Sequence, residues 1–422
     1  MKPRHVEFLV LGAGLQGSAI ALELARRGKS VTLVDQDPLP MNRASLRNEG
    51  KIHLGLIYAA DPSMNTALMQ LRGALQFRRL LGQWLGPRVD DIGISTPFTY
   101  LVAEDSLFSP DALDEHYDKL GMACREHLQA DKGLDYLGFR PDRLTARAPA
   151  SHIRQYFNAS RVPHAFLTEE RAINPDDLAR TFRSALGESG RISFMPNCQV
   201  REIERFGGKT RISAWLNGAG QSCQIDAEHV VNATWEERLR LDRMAGLPAP
   251  AGWVHRLKFR AIMRPPEALL RHPSATMVLG RYGDVVIRPN DGSAFLSWYP
   301  TGLRGWSHEL SPPQDWTPAC QGRLDSAAAA EIGAEITRHI SAWYPGVEEG
   351  RLLQVDAGAI FAYGCTDVDD KDSGLHDRTR IGVSGDSGYL SVDPGKLTTA
   401  PLFAVEAVRR LLDEQDGAHD GE

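Results

Sequence analysis

Gly12, Gly14 and Gly17 fall at fixed spacing in the run Gly12-Ala13-Gly14-Leu15-Gln16-Gly17, and Asp35 follows 18 positions after the third glycine. This pattern suits a dinucleotide. The first glycine permits a tight turn, the second lets backbone approach a pyrophosphate, and the third lets a helix pack closely. Asp35 can accept hydrogen bonds from a ribose, with Leu15, Gln16 and Gln36 beside the same ligand. The competing reading is three turn glycines and an exposed Asp, and the pattern alone does not separate NAD from FAD. A second constellation lies near the C-terminus, at Pro394-Gly395-Lys396-Leu397-Thr398-Thr399. A glycine turn that opens a helix aims backbone N–H groups and the positive end of the helix dipole forward, and Lys396 adds a full charge, so an anion is wanted there. The plain alternative is a helix start capped by Thr398 or Thr399, with Lys396 in solvent.

The elements that must position these residues are legible as patterns. Residues 6–11 are an apolar run broken only by Glu7 and suited to a strand buried on both faces, 15–27 carry apolar residues at helical spacing and end at Gly28, and 31–34 read as a second buried strand. Together they make a strand-helix-strand unit with the glycines at its first turn. Asn174, Pro175, Asp176 and Asp177 start a helix expected to run to about Leu186. Short strand-like pieces follow at 192–195, 199–203, 211–215 and 229–232. Residues 276–299 read as three antiparallel strands, turning at 282–284 and 290–292. A helix over 324–343, strands near 352–360 and 381–384, and a last helix to about Leu412 complete the pattern.

The segment 43–58, Arg43-Ala44-Ser45-Leu46-Arg47-Asn48-Glu49-Gly50-Lys51-Ile52-His53-Leu54-Gly55-Leu56-Ile57-Tyr58, resembles a stretch of the D-amino-acid oxidase superfamily of FAD-dependent oxidoreductases. The resemblance is nearest the glycerol-3-phosphate dehydrogenase and L-2-hydroxyglutarate oxidase branch. Residues 172–175 with the following helix and Val200, residues 230–235 and residues 394–399 resemble further segments of that family, in the same order along the chain. The resemblance implies a Rossmann-like FAD domain, with Arg43, Ala44, Ser45, Val200, Ala233, Thr234, Gly395, Lys396, Leu397 and Thr398 at the cofactor. Lys396 would face the N1 to C2=O edge of the flavin. Gly385, Asp386 and Gly388 are further candidates there. Gly385-Asp386 is similar to a pair that flavin monooxygenases and halogenases place by the FAD ribityl chain, which keeps an NAD(P)H-dependent monooxygenase as the second reading and a non-catalytic dinucleotide-binding module as the third.

In the first reading a CH–OH or CH–NH group of a small polar substrate passes a hydride to flavin N5, and the electrons leave to O2 or another carrier. His53 is the candidate general base because its side chain titrates near neutrality; the alternative is a histidine packed beside the flavin that takes no proton. Arg288, Arg281, Lys258 and Tyr299 could bind a carboxylate or could form a solvated face. Tyr58 matches the family's loop. In the glycerol-3-phosphate dehydrogenase branch that loop ends Arg-Tyr, and a later strand carries a second Arg. Here those two positions are Ile57 and Ile360, so the resemblance predicts poor reaction with glycerol 3-phosphate and a substrate with an apolar portion; Arg378 or Arg380 would supply a remaining charge.

The chain has 422 residues, 42% hydrophobic and 24% charged, with a net charge of -6. It is a folded α/β protein with room for two domains, and its charge gives no footprint for nucleic acid. The expected partition is an FAD-binding domain of residues 1–88, 150–236 and 352–422, around a substrate domain of 89–149 and 237–351 bearing an antiparallel sheet. Five cysteines without close pairs suggest neither a metal site nor a disulfide framework, which fits the cytoplasm. No stretch is long and apolar enough to span a bilayer.

Overall fold

The opening apolar run forms the strand Arg4–Leu11, buried over its last four residues. It pairs in parallel with Val31–Val34 on one side and Gln221–Asn232 on the other. Ile192–Met195 and Tyr389–Asp393 extend the parallel stack at its two flanks. The computed structural model describes residues 3–386 and 388–419; in it, Gly382–Asp386 adds an antiparallel edge, and the hairpin Cys198–Phe206 with Lys209–Leu216 branches from Gln221–Asn232, making eight strands. Helix Leu15–Arg26 makes the crossover between the first two strands and ends before Gly28, whose φ is +84°. It is buried almost throughout, in one apolar cluster with Leu71 and Leu75 of helix Asn65–Leu85 and with Ala404 and Ala407 of helix Ala400–His419. The closing helix therefore runs past the expected Leu412.

Two glycines of the fingerprint are required by this packing. Gly12 has φ +88°, and a Cβ on it would lie 2.8 Å from the Ala233 carbonyl oxygen. On Gly17 a Cβ would lie 1.8 Å from the Gly12 carbonyl oxygen, so helix and turn could not approach.

A second sheet of nine strands runs in the order Leu303–Ser307, Trp253–Arg264, Ser293–Trp298, Gly283–Arg288, Ser274–Val278, Phe98–Val102, His164–Thr168, Thr145–Arg147, with Arg351–Tyr363 also paired to Trp253–Arg264. The three strands read from residues 276–299 are present, and Asp291 turns the second hairpin by accepting from Ser293 N at 2.9 Å. Helix Ser326–Ser341, capped by Asp325, covers one face, where Ile332, Ile336 and Ile340 share an apolar cluster with Leu257, Phe259, Ala261, Val355, Ala357 and Ala359. The alternate residues of the same two strands, Arg256, Lys258 and Arg260 opposite Ile360, Gly358 and Asp356, consequently point the other way.

The sequence reading placed residues 164–168 and 351–363 mostly with the nucleotide side, but both strands hydrogen-bond into this second sheet. Short apolar strands carry no local mark of the sheet they join; the partner is chosen by distant residues. A two-stranded ribbon, Lys51–Ile52 with Arg171–Ala172, lies near the junction of the two sheets. No helix among the described residues is long and apolar enough to cross a membrane.

Candidate active site

A cleft with about 1530 Å³ of open space crosses the C-terminal ends of the parallel strands and continues under the second sheet. Gly12, Gly14, Leu15, Gln16, Asp35, Gln36, Arg43, Ala44, Ser45, Val200, Ala233, Thr234, Gly395, Lys396 and Leu397 all line it, as do His53 and Ile360. Asp35 accepts from Ala13 N at 2.6 Å and Asp37 N at 2.8 Å; desolvation raises its carboxyl to about 6 against the pull of those two donors. Ser45 Oγ accepts from Leu15 N at 2.8 Å, which ties the 43–48 segment to the helix start.

Arg43 reaches the cleft wall already paired. Its Nε lies 3.1 Å from Asp37 and its Nη1 2.9 Å from Glu236, so it braces two buried carboxylates rather than offering a free cation. Arg47, 3.2 Å from Asp356, and Arg260, 2.6 Å from the same carboxylate, make a comparable brace below.

Five cofactor expectations are corrected or refined. Gly385, Asp386 and Gly388 belong to the hairpin at the N-terminal end of Tyr389–Asp393, whereas the cleft lies at the C-terminal end of that strand. Asp386 Oδ1 there accepts from Gly388 N and Tyr389 N and pairs with Arg205, so the Gly-Asp run closes a turn on itself. Thr398 is fully buried and does not line the cleft; its Oγ1 accepts from His53 N at 2.9 Å. Gly17 serves helix packing behind the wall.

Cations gather at one end of the cleft: Lys396 lines it, and Arg378, Lys258 and Arg256 stand behind that wall, close enough to act on the Lys396 ammonium. Lys396 has no ion-pair or hydrogen-bond partner for its ammonium among the described residues. Desolvation pushes that ammonium down to about 8, with Arg378, Lys258 and Arg256 acting the same way and Glu49 opposing. Arg256 and Arg378 are buried, and each has an Nε with no hydrogen-bond partner. Arg256 Nη1 donates to Tyr299 Oη at 2.7 Å, and Tyr299 donates to Asp367 at 2.5 Å. Tyr58 is buried against this group with an unpartnered hydroxyl, its ionisation pushed up by burial and eased by Arg378. Lys258 Nζ lies 5.7 Å from the Tyr299 ring centre.

His53 is 3% exposed, with Nδ1 3.5 Å from Glu170 and Nε2 3.9 Å from Glu49. Burial lowers its basicity; Glu170 opposes this and Lys396 and Lys51 reinforce it, which leaves a neutral imidazole. For Glu49 burial alone would raise the carboxyl, but Lys396 and Lys258 outweigh it and hold the group ionised.

Other substrate expectations fare differently. Arg288 is buried but lies outside the cleft wall, flanked by Arg260 and Asp291 and about 13 Å along its strand from Asp284. Ile57 packs against the apolar core rather than the cleft, whereas Ile360 does line it. Arg281 is exposed and paired with Asp367 at 3.4 Å, and Arg380 is exposed over the Tyr363 ring. The absence of guanidiniums inferred from Ile57 and Ile360 is corrected too: Arg256 stands directly opposite Ile360 in the strand register, and Arg378 stands beside Tyr58.

Residues 7–389 match the family described as FAD dependent oxidoreductase. The chain belongs to this family. Among curated relatives, the tRNA 5-methylaminomethyl-2-thiouridine biosynthesis bifunctional protein MnmC of Chromohalobacter salexigens is 26% identical over 58% of this chain. Subunit A1 of the anaerobic glycerol-3-phosphate dehydrogenase of Haloferax volcanii is 27% identical over 54% of it. The aligned parts span only 30% and 35% of those two proteins. Among solved structures, glycine oxidase from Geobacillus kaustophilus superposes with a TM-score of 0.69 at 15% identity, covering 97% of this chain and 95% of the other. That likeness is one of fold.

The family is one of FAD-dependent oxidoreductases, and the cleft suits FAD in its own chemistry. An acidic acceptor stands at the end of the second strand for a ribose, the glycine turn and helix start face the middle, and an unpaired Lys396 stands at the inner end where an electron-rich edge would be received.

Proposed function

We propose that this flavoenzyme oxidises a small carboxylate at an adjacent CH–NH or CH–OH group. One observation carries the reading: the buried guanidiniums of Arg256 and Arg378, each with an unpartnered Nε, converge with the unpartnered Tyr58 hydroxyl beside Lys396. Buried donors without partners are costly, and an anion brought by the substrate satisfies them. A carboxylate there accepts from the two guanidiniums and Tyr58, which orients the substrate carbon toward the cleft. Ile360 supplies the apolar wall.

FAD in the cleft supplies the acceptor for the hydrogen that leaves carbon with its electron pair. His53 Nε2, neutral and on the cleft side, takes the proton from the substrate oxygen, or from an amine that binds protonated, and the product is a ketone or an imine. Lys396 places a positive charge where negative charge develops. Electrons leave to O2 or another carrier, which oxygen uptake during turnover distinguishes. The monooxygenase alternative loses its support, because Gly385-Asp386 turns away from the cleft.

The test is an anaerobic screen of hydroxy acids, amino acids and N-substituted amino acids, with glycerol 3-phosphate and decarboxylated analogues as controls, followed by flavin absorbance. Bleaching by a carboxylate but not by its decarboxylated analogue is expected. Bleaching by NAD(P)H alone, or equally by uncharged analogues, overturns the reading.

A further inference from the structure

We infer that Glu170 is a positioning residue for His53, fixing the ring with Nδ1–H turned inward and Nε2 as the atom that takes the substrate proton; this rests on the reading of His53 as base.

Glu170 sits between the strands His164–Thr168 and Arg171–Ala172 and is 0% exposed. A carboxylate so far from water must be met by donors. Its Oε2 accepts from Leu54 N at 2.7 Å, and its Oε1 accepts from the Tyr100 hydroxyl. The same Oε1 lies 3.5 Å from His53 Nδ1. Nδ1 is buried and finds no closer partner, so the polar atom on that side of the ring is a carboxylate oxygen, which can only accept.

A neutral imidazole facing it therefore carries its proton on Nδ1, and the Nε2 lone pair is left toward Glu49 and the cleft. Glu49 is also ionised and can only accept, but it stands farther off, at 3.9 Å against 3.5 Å, and partly open to solvent where Glu170 is fully buried, so Nδ1 is the nitrogen that keeps the proton. Once Nε2 is protonated the ring is a cation, and Glu170 is the fixed charge that stabilises it. The other groups facing the ring are Glu49, which helps, Lys51 and Lys396, which oppose, and Tyr58, edge-to-face at 5.8 Å. The backbone on either side of the ring is held by Glu170 at Leu54 N and by Thr398 at His53 N, which keeps the segment from turning. Without Glu170 only Glu49, at 3.9 Å, opposes the two lysines, and the imidazole becomes a weaker base free to flip.

The experiment follows the rate of anaerobic flavin reduction against pH in the FAD-loaded enzyme, with the substrate found in the screen above. Glu170→Gln should shift the rising limb to lower pH by about one unit and reduce the plateau at least tenfold, with FAD content and substrate affinity retained. Tyr100→Phe, which frees Glu170 from one donor, should move the same limb to higher pH. A wild-type limb and plateau in Glu170→Gln, while His53→Gln is slow and lacks the limb, overturns the positioning role and leaves the base assignment standing. A wild-type profile in His53→Gln overturns both. If Glu170→Gln does not fold, Tyr100→Phe decides alone: an upward shift supports the inference, and an unmoved limb overturns it.

Discussion

Replacing Arg378 by Met should move stability and substrate binding in opposite directions. Arg378 is 6% exposed, donates from Nη1 to the Phe361 carbonyl at 3.2 Å and leaves Nε unpartnered. Desolvation, reinforced by Arg256, brings its guanidinium from 12.5 to about 10. A cation whose value is depressed in the fold is charged more easily in the unfolded chain, so at neutral pH the charge costs the folded state about 3 kcal/mol at 1.36 kcal/mol per unit. Methionine keeps much of the apolar stem and removes the charge. The substrate-free holoenzyme should therefore be more stable by ~1–3 kcal/mol once the lost carbonyl contact is allowed for, and unfold at a higher temperature. A carboxylate substrate loses a charge-assisted contact in a closed pocket, worth about 2–5 kcal/mol, or about 30-fold to several thousand-fold in kcat/KM. The assay is anaerobic stopped-flow reduction with a carboxylate substrate and its methyl ester, beside thermal unfolding. The ester should react with variant and wild type at similar rates. Equal losses on acid and ester, or a lowered unfolding temperature, would refute the assignment and make Arg378 a structural strut.

Lys396→Met should slow flavin reduction about a hundredfold and lower the flavin potential, because a charge is lost where negative charge develops; an unchanged rate and potential would place the ammonium outside the reaction. With that ammonium near 8, the protonated form is lost as pH rises through 8, so the wild-type rate should fall there and the Met variant should show no such limb. Asp35→Asn should weaken FAD retention by removing an ionised ribose acceptor, and the wild type should release FAD faster as pH falls through about 6 while the variant shows no such dependence, measured by flavin release on gel filtration. Equal retention at every pH would confine Asp35 to tying its own turn through Ala13 N and Asp37 N.

The sequence showed what is written locally. Gly12 with its positive φ, a carboxylate 23 residues on and a lysine after a glycine turn depend on neighbours in the chain, and all three line the cleft. Arg256 was invisible because alternation in His-Arg-Leu-Lys-Phe-Arg gives a strand with two faces but does not say which faces the cofactor; that is set by pairing with residues about a hundred positions away. Glu170 was missed for the same reason, since its partners come from residues 53, 54 and 100. The misreading of Gly385-Asp386 has a different cause. Gly-Asp-x-Gly is good turn chemistry wherever it falls, and only the direction of the following strand shows at which end of the sheet the turn sits.

The paired strands that carry Arg256, Lys258 and Arg260 opposite Ile360, Gly358 and Asp356 act as a ruler laid along the cleft. Successive rungs are about 7 Å apart, the length of several carbon–carbon bonds. Arg260 is cancelled by Asp356, so the scale is read only at the rungs of Arg256 and Lys258. A descendant enzyme could shift the point at which a substrate tail is anchored by exchanging which rung is neutralised, for instance by losing Asp356 and gaining an acid at residue 360. Substrate length would then change while the pairing of Arg351–Tyr363, which gives Gly358 and Ala359 to the cleft wall, stayed as it is.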